Sequence, residues 1–168
     1  STWSTANNWS GNVVATGAGQ TANFSTINIT GNRFVTLNSS RTIGTLRFSD
    51  TSGSQTWTLT ASGGSELTLD TASAASPALI VTNTATISAP IAGTNGFTKS
   101  GPGMLILSGN NGLSGTVNID TSSTTLSDGI TRITGAGALA NASLIQIRNN
   151  NGGSSTFQID GSAGGITI

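Results

Sequence analysis

The feature that most constrains this chain is a short apolar alternation that keeps restarting. Ile27 and Ile29, Phe34 to Leu37, Ile43 to Phe48, Trp57 and Leu59, and Leu67 and Leu69 each open a phrase of apolar residues two apart. The pattern resumes at Leu79 to Val81, Ile87 to Ile91, Met104 to Leu107, and Val117 and Ile119. It continues through Leu144 to Ile147, Phe157 and Ile159, and Ile166 and Ile168, with Ile130 and Ile133, three apart, as a looser phrase. Side chains two apart share one face of a strand, so each phrase predicts a β-strand with a buried face. Strand centres recur roughly every ten residues. Turn signals separate them: Ser52-Gly53, Gly63-Gly64, Gly109 to Gly112, and Asn149 to Gly153. Helix formers are scarce, with a single Glu, a single Lys and a single Met. Thr favours strands, while Gly and Asn favour turns. The chain reads as all-β.

Short, evenly spaced strands suit a sandwich, a barrel or a solenoid. Each strand offers only two or three inward residues, enough for a narrow core. These are mainly Ile, Leu and Val, which stack on themselves when successive coils lie about 4.8 Å apart. The Asn-Gly pairs that could close tight hairpins sit in longer loops, at Asn95-Gly96, Asn111-Gly112 and Asn151-Gly152. The expectation is a single domain over residues 1–168, a right-handed parallel β-helix (solenoid) of about seven rungs. A two-sheet β-sandwich is the alternative.

Composition narrows the function. Charged residues are 7% of the chain, and six basic residues balance six acidic ones. No electrostatic pull toward nucleic acid or an anionic membrane follows from that. The longest apolar runs, Ala78 to Val81 and Met104 to Leu107, are too short to cross a bilayer. There is no cysteine and no histidine. Thiolate chemistry, disulfides and the usual neutral-pH general base are therefore excluded.

The opening of residues 96–120 carries the clearest motif. Lys99, Gly101, Gly103, Leu105, Leu107, Ser108, Gly109, Asn111, Ser114 and Gly115 fall at the spacing K-x-G-x-G-x-L-x-L-S-G-x-N-x-Y-S-G. This resembles the autotransporter-associated β-strand repeat, with Leu113 where that repeat prefers Tyr. The segments Trp3 to Gly11, Ala22 to Ser25 and Arg41 to Phe48 are in the same style. The resemblance implies a secreted bacterial β-solenoid, exported as the stalk or passenger of a surface protein. In that reading Gly101 and Gly103 turn a corner, with Pro102 fixing one φ between them. Lys99, the sole lysine, reads as a surface residue on the turn.

Candidate chemistry is sparse. Lys99-Ser100-Gly101 has the form of a K-T-G element, but the S-x-x-K that should accompany it is missing. Glu66 and Asp70 share a face, yet four residues of strand separate them by about 13 Å, too far for a retaining carboxylate pair. Asp120 and Asp160 close the similar phrases Val117 to Asp120 and Phe157 to Asp160, and are weak Ca²⁺ candidates. Trp3 and Trp9, in a capping segment over residues 1–25, would cover the first rung of an open core. Trp57 is a possible ligand platform. Ile166 and Ile168 would form an uncapped apolar edge that another rung could complete.

These readings predict a non-enzymatic structural protein, outside the cell or on a bacterial surface, with no cofactor. Its partners would be copies of itself stacked head-to-tail, or further repeats of the same chain. A head-to-tail contact does not close, so it makes filaments. The alternative is an adhesin module that binds surface glycans. A polysaccharide-active enzyme is the third reading, and it would need several of the six acidic residues to converge in one groove.

Overall fold

Every strand pairing in the described part of the molecule is parallel, and no neighbour in a sheet is a sequence neighbour. The computed structural model describes residues 1–120, 129–148, 154–162 and 164–166. Its strands, in chain order, are β1 (Thr21–Phe24), β2 (Arg33–Leu37), β3 (Arg41–Ile43), β4 (Thr45–Phe48), β5 (Thr56–Ala61), β6 (Leu67–Leu69), β7 (Ala78–Val81) and β8 (Thr84–Ile87). They continue with β9 (Ile91–Ala92), β10 (Phe97–Ser100), β11 (Met104–Leu107), β12 (Gly115–Asp120), β13 (Ile130–Ile133), β14 (Ala142–Arg148) and β15 (Thr156–Ile159). One sheet runs β1-β4-β7-β10-β12-β14, a second β2-β5-β8-β11-β13-β15, and a short third β3-β6-β9. The chain is all-β with parallel sheets, an arrangement compatible with a β-solenoid.

Each pass of the chain through these sheets forms a layer, and the register puts like on like. The inward column of the second sheet reads Val35, Leu59, Ile87, Leu107, Ile133 and Ile159. The matching column of the first reads Ala22, Leu46, Leu79, Lys99, Ile119 and Ile147. Strands about 4.8 Å apart bring each aliphatic side chain into contact with the one in the next layer. Burying one such Leu or Ile contributes about 1.5–3 kcal/mol. Ile147 and Ile159 stand at the last layer of their columns and are about half exposed.

The four consecutive apolar residues of β11 resolve cleanly. Leu105 and Leu107 are buried, while Met104 and Ile106 are only partly covered on the outer face. There they align with Thr84 and Thr86 of β8. Several expected strands differ in extent. Ile43 to Phe48 is split into β3 and β4 at Gly44, whose backbone meets Gly19 so closely that a Cβ would stand 2.6 Å from its Cα. That corner re-aims the chain from the third sheet to the first, so Leu46 and Phe48 stay buried. Ile27 and Ile29 lie in a loop, with Ile29 buried and Ile27 exposed.

The largest difference concerns Lys99. It lies inside β10, on the same face as Phe97, and is fully buried. Its ammonium donates to the carbonyls of Gly101 and, at 2.8 Å, Gly103. The sole lysine is therefore an interior residue that gathers the carbonyls of the corner it precedes. Burial of the charge is offset by these charge-assisted bonds. Gly103 has an additional constraint: a Cβ there would run into the carbonyl oxygen of Asn83 in the layer below. Glycine here permits close stacking as well as turning.

Candidate functional site at the ends and corners of the stack

At one end the chain covers itself. Ser1 donates from its amino group to the Phe34 carbonyl at 2.9 Å, Thr36 N–H donates to Ser1 O, and Trp3 N–H donates to Thr36 O, both at 2.8 Å. Residues 1–3 thus run along the outer edge of β2, with a parallel bridge between Thr2 and Thr36. Two short 3₁₀ turns, Ala6–Asn8 and Ser10–Asn12, follow. Trp3 is fully buried and its indole N–H donates to Ala15 O at 2.9 Å. Trp9 donates from its indole to Trp3 O at 2.6 Å. Trp3, Trp9 and Phe24 form a cluster with ring centres 5.1–5.6 Å apart. Tilted and edge-on contacts of this kind add about 0.5–1.5 kcal/mol per pair beyond area.

Trp57 belongs to the same cluster. It is 4% exposed, lies 5.3 Å from Phe24, and donates its indole N–H to Ser49 O at 2.8 Å. With Trp9, Phe24, Asn28 and Arg33 it lines an open cleft of about 660 Å³ beside the N-terminal segment. Trp9 and Phe24 are each partly exposed, more so than Trp57.

The other end presents strands β14 and β15, which lie outermost in their sheets. Leu144, Ile147 and Ile159 are each about half exposed there. Ile166 packs against the core, and Ile168 lies outside the described residues.

Among the described residues the acidic ones are dispersed. Asp120 ends β12 in the first sheet, whereas Asp160 follows β15 in the second, so the two belong to different strand columns. Asp160 takes hydrogen bonds from the side chain and backbone of Ser162, which hold its carboxyl below the usual 3.8. Asp70 accepts the Ala72 N–H at 2.7 Å, an Asx-turn. Asp128 lies outside the described residues. No group of three or more acidic residues able to hold a metal occurs among the described residues.

Two corner residues bind layers together: Asn111, one of the matches to the repeat motif, and Asp50, and the sequence gives neither of them that role. Asn111 is 4% exposed; its Oδ1 accepts the Ile91 N–H at 2.9 Å and its Nδ2 donates to Ala138 O at 2.8 Å. One amide therefore joins the layers before and after its own. The signal was present in the Ser108-Gly109-Asn110-Asn111 phrase, where a second Asn follows a glycine corner. Asp50, in the loop after β4, is also buried and accepts the Ile29 N–H at 3.1 Å. Nothing in a lone Asp before Thr51-Ser52-Gly53 distinguishes it from a surface turn.

No protein-family model, curated protein or solved structure matches this chain.

Proposed function

We propose that this chain is a structural segment of an extracellular bacterial β-solenoid, a right-handed parallel β-helix serving as a stalk. The layers formed by β1 to β15, with Ser1–Trp3 bedded on β2, make up about seven rungs. The observation that carries the reading is the in-register column from Val35 to Ile159, one aliphatic side chain per layer. Each layer contacts only its neighbours, so layers add length without changing cross-section. The bacterial surface setting follows from the repeat-like phrase around Lys99 to Gly115.

The half-exposed Leu144, Ile147 and Ile159 favour a further layer at that end, from the same chain or from a copy. At the opposite end Ser1–Trp3 occupies the edge of β2. A copy stacking at that end would meet this segment rather than β2 itself. An adhesive role rests on the cleft beside Trp9 and Arg33, whose ring faces and polar groups suit a sugar.

Negative-stain electron microscopy of the natively produced protein, with intact mass on the same sample, tests this. Rods built from a chain much heavier than 16.7 kDa support the stalk. Long filaments of 16.7 kDa subunits support the fibre instead. Discrete round particles of that mass overturn both.

A further inference from the structure

The loop between β4 and β5 holds two enclosed oxygen atoms that accept no hydrogen bond. Asp50 is 7% exposed, and its Oδ1 accepts the N–H groups of Ile29 at 3.1 Å and Ser52 at 3.3 Å. Its Oδ2 is buried without a donor, and so is Oε1 of Gln55. Both atoms close on the space over Gly53, whose φ is +118°. A Cβ on Gly53 would collide with Gln55 Oε1 and stand 3.3 Å from Asp50 Oδ2.

The neighbouring layers fix this loop in place. Asn83 accepts the Asp50 N–H at 3.1 Å and donates to Gly53 O at 2.9 Å. Trp57 donates to Ser49 O at 2.8 Å. A carboxylate oxygen and an amide oxygen are thus held toward one small space, each buried without a partner. Such atoms cost free energy unless something supplies positive charge or a donor.

We propose that Asp50 Oδ2 and Gln55 Oε1 bind a calcium ion whose remaining shell is water. Donors that are all oxygen select a hard cation, and a loop site without octahedral constraint favours Ca²⁺ over Mg²⁺. With a single carboxylate the affinity belongs to the weak, extracellular range, a Kd of about 10⁻⁴–10⁻³ M. The ion ties the loop of the second layer to Ile29 of the first and Asn83 of the third. This inference is independent of the stalk reading.

The test is the melting temperature of the 168-residue chain in EGTA and in CaCl₂ up to 10 mM, with MgCl₂ at equal concentration as comparison. Calcium should raise Tm by about 3–8 °C with a midpoint near millimolar, and magnesium by less. Asp50→Asn keeps the Ile29 and Ser52 bonds through its Oδ1, and its new amide can donate to Gln55 Oε1. It should melt above the wild type in EGTA and ignore calcium. Gln55→Leu should flatten the calcium response while still folding. A wild-type Tm indifferent to calcium overturns the proposal, and means the Gln55 amide is turned with its NH₂ toward Asp50. An equal rise with magnesium, or an unchanged calcium response in Asp50→Asn, overturns it as well.

Discussion

Asn111 gives the sharpest test of how these layers are held in register. Its amide serves two backbone groups in different layers, the Ile91 N–H and the Ala138 carbonyl. Asn111→Ala leaves both buried and unpaired. Each orphaned group costs about 1–3 kcal/mol, so the variant should lose about 2–5 kcal/mol. For a chain of this size that corresponds to a fall in Tm of about 4–20 °C. Urea unfolding with an unchanged m-value would give the free energy directly. Hydrogen exchange at the Ile91 amide should accelerate as well. Asn111→Asp separates the donor from the shape. The carboxylate still accepts from Ile91, but it faces the Ala138 carbonyl with no proton to give. That raises the folded-state pKa of the new acid above its unfolded value. The protonated form, which can donate to Ala138, then stabilises the fold below the unfolded pKa. That contribution disappears as pH rises through the folded pKa. The Asp variant should therefore approach wild-type stability near pH 4 and fall behind it at pH 7. A loss below about 1 kcal/mol in the Ala variant, with Ile91 exchange unchanged, would refute the idea that this amide holds the layers.

Other positions make simpler predictions. Gly103→Ala drives a Cβ into the Asn83 carbonyl and should cost about 2–4 kcal/mol in urea unfolding, whereas Gly112→Ala, with open space around it, should be neutral. Trp3→Ala removes a fully buried ring and its bond to Ala15, and calorimetry should register a loss of about 3–5 kcal/mol. The Asp160 carboxyl should titrate by NMR below 3.8, because Ser162 bonds to its charged form, and Ser162→Ala should bring the midpoint back up. The folded pKa of Asp160 is lowered, so its contribution is present above the unfolded pKa and lost as pH falls through the folded one.

Sequence alone determined most of the strands and their punctuation, though not that Ile27 and Ile29 lie in a loop or that the chain turns at Gly44. Period-two phrases such as Phe34 to Leu37 and Met104 to Leu107 could bury one face only as strands, and the Gly-Asn runs could only interrupt them. All-β architecture follows from those local facts. The even spacing and the shortage of tight hairpins favour a solenoid but leave a two-sheet sandwich open, and only the strand pairing decides for parallel sheets. What each polar residue does was decided by the layers above and below. Lys99 looked like a turn residue because its neighbours are Ser100 and Gly101, but parity with Phe97 puts it inside and the folded corner supplies its carbonyls. Asn111 and Asp50 find their partners 20 and 21 residues away, at Ile91 and Ile29. The sequence leaves Trp57 open as a ligand platform, but Phe24 and Phe48 of the first sheet pack against it. Alternation is a property of one strand and can be read along the chain. Hydrogen-bond satisfaction in a stack depends on which carbonyl arrives about 4.8 Å away, and that is fixed only when the layers come into register.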